Sequence, residues 1–128
     1  MDVSAESLTA RPCKYVVLHH AGIEEPHYDF MFEPAEGEAL VTFRLAEWPP
    51  SGRQEVRRLK DHRRLYLTFE GTIPGDRGYV VRVDEGMLHP RRDGVRWILR
   101  RDNGEPWMTV ESLEGGDEGD WWLVLSAQ

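Results

Sequence analysis

The sequence predicts a mainly-β chain: a compact, closed or nearly closed antiparallel β-barrel of about eight strands, with at most one or two short helices. Three observations carry that expectation. Short runs of Val, Ile, Leu, Tyr and Phe alternate with polar residues at the two-residue period of a strand. Clusters of Gly, Pro, Asn and Asp punctuate those runs at short intervals. Almost no segment shows the 3.6-residue period of an amphipathic helix.

Residues 1–13 are polar and aperiodic and read as a flexible N-terminal tail, leaving 14–128 as a single domain. Lys14–His20, rich in Val and Tyr, is the first strand. Ala21–Pro26 is a loop, and Pro26 holds Glu25 extended just before the next strand, His27–Glu33. A turn at Pro34–Glu38 makes a hairpin with Ala39–Leu45, and Trp48-Pro49-Pro50-Ser51-Gly52 breaks the pattern. Ser51, with Gln54 three residues on and then Val56 and Leu59, suits either a short helix or an extended segment. Leu65–Gly71 alternates as a strand, with Leu65, Leu67 and Phe69 on one face and Tyr66, Thr68 and Glu70 on the other. Pro74–Gly78 is a turn. Gly78–Val83 and Gly86–His89 are two strands divided by Asp84-Glu85-Gly86. Val95–Arg100 ends in the hairpin turn Asp102-Asn103-Gly104. Trp107–Leu113 and Trp121–Leu125 complete the set, separated by the acidic glycine loop Glu114–Asp120.

At 128 residues the chain is long enough for one core and too short for two. Its single cysteine, Cys13, excludes an intrachain disulfide and makes a reducing compartment the expectation. No apolar run approaches the ~20 residues of a membrane span, and the N-terminus lacks the basic start and apolar centre of a signal peptide. The expectation is a soluble, cytoplasmic protein without a membrane partner. A net charge of -7 argues against generic nucleic-acid binding. Yet residues 51–64 and 90–101 together hold eleven of the 16 basic side chains, which could form a phosphate-facing stripe on an acidic body or simply a solvated surface.

The chemistry concentrates between His19 and Glu33. Three of the five histidines fall there, and His27-Tyr28-Asp29 opens an alternating strand that places His27, Asp29 and Met31 on one face. His20, at the end of the preceding strand, is brought beside them by the loop; His19 has the opposite parity, so one of the two histidines is a ligand. Two imidazoles and a carboxylate suit a divalent transition metal with positions left open for water or substrate. Asp61-His62 followed by Tyr66 forms a second constellation, suited to phosphate contact or general-acid work near a metal. His89, before Pro90, reads as a turn residue, and Trp97, Trp107, Trp121 and Trp122 as core and rim aromatics. No Walker, dinucleotide or paired-cysteine zinc motif occurs.

Tyr15-Val-Val-Leu-His-His20, His27-Tyr-Asp-Phe-Met-Phe-Glu33, and Asp61-His62 with Tyr66 leading into Phe69-Glu-Gly71-Thr-Ile-Pro74 together resemble the 3'-phosphoesterase domain of bacterial DNA ligase D. The resemblance spans roughly Tyr15 to Gly86 and keeps the order and several spacings of that family's motifs. It implies a compact β-barrel, a manganese-dependent hydrolase activity (Mn²⁺ or another divalent transition metal), and a role in DNA repair by non-homologous end joining. The family removes a 3'-terminal ribonucleoside and then a 3'-phosphate from primer-template ends. By position, His20, His27 and Asp29 would be the metal ligands, and His62 and Tyr66 the residues touching the scissile phosphate. The chain departs from the family where Met31 replaces an arginine and Glu47 a lysine, and the loop between the metal histidines is one residue longer. Arg44 and Arg63 are candidates to replace the lost phosphate-binding cations.

The leading expectation is a stand-alone, divergent phosphoesterase whose partners are nucleic-acid 3'-ends and separate ligase or polymerase proteins. A catalytically degenerate module of the same fold, binding nucleic acid or a partner, is the alternative that Met31, Glu47 and the net charge favour. A third is a non-haem iron oxygenase using His27, Asp29 and either His62 or His89.

Overall fold

A computed structural model describes residues 11–34, 39–50, 53–91, 96–100, 106–113 and 122–127. Among them run nine strands in one antiparallel sheet: β1 (Cys13–Ala21), β2 (His27–Phe32), β3 (Val41–Leu45), β4 (Arg53–Arg57), β5 (Gly71–Thr72), β6 (Tyr79–Pro90), β7 (Arg96–Arg100), β8 (Pro106–Leu113) and β9 (Trp122–Ala127). Their order across the sheet is β3-β2-β1-β6-β7-β8-β9-β4, with β5 pairing β6 off that path. The sheet curls until its ends meet. Beyond Arg57 the chain runs beside β3, where Phe43 bridges Arg58 and the Leu59 amide donates to the Thr42 carbonyl at 2.8 Å. Leu40 and His62 exchange two backbone hydrogen bonds of 2.8 and 2.9 Å. The expected mainly-β, barrel-like architecture is what forms, and the segment left open between helix and extended chain is the strand β4.

Alternation along β1, β2 and β3 feeds two cores on opposite faces of the same strands. Tyr15, Val17, Phe30, Phe32 and Phe43 fill the barrel interior with Leu88, Leu99 and Met108. Trp48 stacks on Phe30 at 5.8 Å, and the Trp107 indole N–H donates to the Tyr15 hydroxyl at 2.9 Å, so this polar pair enters the apolar mass with its hydrogen bond made. The out-of-phase residues Val16, Leu18, Met31, Leu40 and Val80 form a second core on the outer face with Ile73. Each such side chain contributes about 1.5–3 kcal/mol by leaving water. Strands apolar on both faces have to be covered on both, and the chain after His62 provides the second cover.

That cover is where the structure departs from expectation. Leu65–Gly71 is not a strand: Arg64–Leu67 is a 3-10 helix, closed by amide donation from Tyr66 to Arg63 O and from Thr68 to Leu65 O, and only Gly71–Thr72 is extended. Tyr66, Leu67 and Phe69 all pack on the second core, a spacing that a strand, sending neighbours to opposite sides, cannot bring to one surface. Asp84-Glu85-Gly86 is not a turn either, and the two strands expected around it are the single strand β6, which also takes in His89 and Pro90. Gly86 serves close approach: a Cβ there would lie 2.1 Å from the Arg100 carbonyl oxygen and 2.9 Å from the Tyr15 ring. Val17 pairs with Asp84 and Leu18 with Arg82, leaving Val83 as a bulge. At the N-terminal end, Cys13 is a buried residue of β1 rather than part of a tail. The turns expected at 102–104 and 114–120, residues 35–38 of the turn expected at 34–38, and residues 1–10 of the tail expected at 1–13 lie outside the described residues. Among the described residues, no helix is long and apolar enough to cross a membrane.

Candidate metal centre

Register builds the site. In the β1–β2 pair, His20 stands opposite His27 and Leu18 opposite Asp29, so the three polar side chains gather at one end of the strands, on the face that carries the second core. The His20 and His27 rings meet edge to face with centroids 5.0 Å apart. His20, His27 and Asp29 each offer a ligand atom, all within 4.8 Å of one another. Asp29 is 4 % exposed. His19, one residue out of phase, is carried to the other face and stacks on Tyr28 at 4.4 Å. The three ligands expected from the sequence are therefore the three that come together.

Backbone carbonyls fix the imidazoles. A carbonyl oxygen only accepts, so each ring nitrogen in contact with one must be its N–H. His20 Nε2 donates to Arg77 O at 2.7 Å, and His27 Nδ1 to Glu25 O at 2.9 Å. In the neutral ring this leaves the other nitrogen with its lone pair, which is how metal-binding histidines are ordinarily oriented from behind. Burial pushes the His27 imidazole below its ordinary pKa, against the opposing pull of the Glu25 carbonyl and the Asp29 carboxylate, with Arg44 and His20 lowering it further. Burial thus favours the uncharged ring. Its Nε2 is buried without a hydrogen-bond partner and lies 3.5 Å from Asp29 Oδ2. A lone pair facing a carboxylate oxygen with no proton between them is the arrangement a cation would resolve, and it is the reason the donor set fits a divalent transition metal.

The opposite wall comes from the barrel seam. The Leu40–His62 bridge sets His62 across from Asp29, with His62 Nε2 3.9 Å from Asp29 Oδ2 and His62 Nδ1 donating to Lys60 O at 3.0 Å. One helical turn on, Tyr66 meets the His62 ring edge to face at 6.2 Å. His62 and Tyr66 therefore reach the site, although through a 3-10 helix instead of the expected strand. His89 does not. It lies nine positions along β6 from Val80, the residue paired with His20, which is roughly 30 Å at about 3.3 Å per residue.

The candidate cations divide. Arg44 stands opposite Asp29 in the β2–β3 register and donates from Nε to Asp29 Oδ1 at 3.0 Å. Arg63 lies with its guanidinium carbon 5.9 Å from the Tyr66 ring centre. Arg64 is paired with Glu33, and Arg58 with Asp61. Met31 is sealed into the second core at 1 % exposure, whereas Glu47 is exposed. Sequence reading missed the Glu25, Lys60 and Arg77 carbonyls, since a backbone acceptor has no residue signature. The Arg44–Asp29 pair was legible in principle, once the β2–β3 register is known.

No protein-family model matches this chain, and no curated protein matches it.

Proposed function

We propose that this protein is a divalent-metal-dependent phosphoesterase acting on 3'-phosphate or 3'-ribonucleotide ends of nucleic acid. The observation that carries the reading is the convergence of His20, His27 and Asp29, with the buried His27 Nε2 left without a partner. The resemblance to the ligase D phosphoesterase domain supplies the substrate class, and Mn²⁺ is the metal it implies. When bound, such an ion neutralises charge on a phosphoryl oxygen and orients the attacking water. The chain's own residues do the rest. His20, His27 and Asp29 hold the ligand face rigid, because two β-strands, two hydrogen bonds to backbone carbonyls and the Arg44 side chain fix it. With Nδ1 already giving its proton to Lys60 O, His62 in its doubly protonated form is placed to donate from Nε2 to a phosphate oxygen, and the Tyr66 hydroxyl is a second candidate donor.

The test is a labelled primer-template ending in 3'-phosphate, incubated with the pure protein with and without Mn²⁺. The reading expects a Mn²⁺-dependent 3'-hydroxyl product that His27→Ala abolishes. Metal binding without product would favour the second reading, a degenerate binding module, which the burial of Met31 at the family's arginine position supports. Turnover of a 2-oxo acid with Fe²⁺ would favour an oxygenase, for which two histidines and one carboxylate are also a suitable set.

A further inference from the structure

We propose that Arg44 is the residue through which this site selects a doubly charged terminal oxyanion, supplying from the neighbouring strand the cation that Met31 cannot. The inference rests on the metal centre proposed above and deepens it. Three observations lead there. The β2–β3 register puts Arg44 directly opposite Asp29, so its proximity to the ligand set is fixed by the backbone. Its Nε is held by Asp29 Oδ1 at 3.0 Å, while the Arg44 side chain remains 41 % exposed. Among the described residues, Nε to Asp29 is the one hydrogen bond Arg44 makes, so the outer guanidinium nitrogens have no protein acceptor there.

A guanidinium fixed at Nε has its orientation set before any ligand arrives. Its outer edge can then take two oxygens of one group side by side, a geometry that suits phosphate and that an ammonium lacks. Of the neighbouring cations, Arg64 is engaged with Glu33, Arg58 with Asp61, and Arg82 with Glu70 and Glu85, while Arg63 lies over the Tyr66 ring and, among the described residues, makes no ion pair with Asp29. Charge points the same way. A divalent ion, the Asp29 carboxylate and the Arg44 guanidinium sum to two uncompensated positive charges in a partly buried site. A phosphate monoester dianion balances both, whereas a phosphodiester, singly charged, such as the one that joins a 3'-ribonucleotide to the chain, balances only one and binds less tightly. Arg44 thus acts both as positioning residue for Asp29, leaving Oδ2 free for the metal, and as receptor for the anion.

The test measures binding, separately from turnover. Inorganic phosphate is titrated into Mn²⁺-loaded full-length protein by calorimetry, and Mn²⁺ affinity is measured independently by the loss of the free-ion paramagnetic resonance signal. Arg44→Ala, titrated at saturating Mn²⁺, is expected to weaken phosphate binding by roughly tenfold or more; its Mn²⁺ affinity, which losing the partner of Asp29 should lower by up to roughly 10–100-fold, is measured separately so that the two effects divide. Arg44→Lys keeps a cation against Asp29 and guards against misfolding; it should hold Mn²⁺ normally and still lose most of the phosphate affinity. Phosphate binding unchanged in either variant overturns the inference. Phosphate binding without hydrolysis of a 3'-phosphate end leaves Arg44 in this role and removes the phosphoesterase reading. Hydrolysis that is indifferent to Arg44→Lys does the reverse, and a chain that binds no Mn²⁺ removes both.

Discussion

His27 Nε2 faces Asp29 Oδ2 at 3.5 Å, while the other nitrogen of the same ring gives its proton to the Glu25 carbonyl. Two acceptors are therefore held together by strand geometry, at a cost to the metal-free chain that a bound cation would reverse. Mn²⁺ should raise the thermal midpoint, with a gain of about 2.7 kcal/mol when free metal is about a hundredfold above its Kd. His27→Ala and His20→Ala should remove most of that gain. Scanning calorimetry with Mn²⁺ and with chelator checks it, and an equal shift in wild type and His27→Ala would dismiss the site.

His62 and Tyr66 sit across from the ligands on a different element, so chemistry and metal binding should separate there. His62→Gln and Tyr66→Phe should slow release of a 3'-phosphate by roughly 10²–10⁴-fold, the range for loss of a positioned proton donor. Mn²⁺ affinity should stay within a few fold of wild type. A large loss of Mn²⁺ affinity in His62→Gln would instead make His62 a ligand.

Much of this was legible because strands write their parity into sequence. His27, Asp29 and Met31 share a face, His19 and His20 part company, and Phe30 and Phe32 point into the barrel, all as alternation requires. The same rule misled at Leu65–Phe69, where alternating Leu, Tyr, Leu, Thr and Phe imitates a strand. There the second core captures Tyr66, Leu67 and Phe69 together and winds the backbone into a 3-10 helix. Asp84-Glu85-Gly86 misled through its turn-forming composition, because nothing local announces that Tyr15 and the Arg100 carbonyl occupy the space beside Gly86. Tertiary contact decided both, and single-segment patterns do not contain it.

The Arg77 carbonyl that orients His20 belongs to a loop with a tight backbone constraint. Gly78 has φ +77°, and a Cβ there would lie 2.2 Å from the Ala21 carbonyl oxygen. Gly78→Ala should therefore destabilise the fold by about 1–3 kcal/mol. It should also weaken Mn²⁺ binding, by roughly the 10–100-fold associated with losing an outer-shell partner of a metal histidine. Urea titration and metal titration of the same variant measure the two effects. A stability loss without any change in Mn²⁺ affinity would show that the loop does not orient His20.

Acid should destabilise the metal-free chain through its half-buried histidines. Burial lowers the pKa of His89, and nearby Arg100 lowers it further; His27 is lowered as well, chiefly by burial. For such groups the unfolded chain holds more protons between the folded pKa and the ordinary value near about 6.5, so stability rises with pH through that window. It should be fully present above about pH 6.5 and decline as pH falls below. Urea midpoints in chelator at neutral and mildly acidic pH test the slope, and His89→Gln should flatten part of it. A midpoint that rises on acidification would contradict the assigned direction.

Met31 occupies the position where the resembling family carries an arginine, and it is tempting to restore that residue to gain phosphate affinity. The structure argues for the opposite outcome. Met31 is 1 % exposed and packs with Val16, Leu18, Leu40 and Val80 beneath the chain segment that carries Tyr66. The carboxylates two residues to either side, Asp29 and Glu33, already hold Arg44 and Arg64. A guanidinium introduced there would be buried without a partner or would have to lift the 3-10 helix to reach water. Met31→Arg should cost on the order of 3–5 kcal/mol and should displace Tyr66, lowering hydrolysis along with stability. Leucine at the same position should be tolerated with a loss below about 1.5 kcal/mol. Chemical denaturation of the two variants side by side separates the cases: an arginine variant as stable as the leucine one would mean that this face of β2 opens to solvent, and that the second core does not seal it.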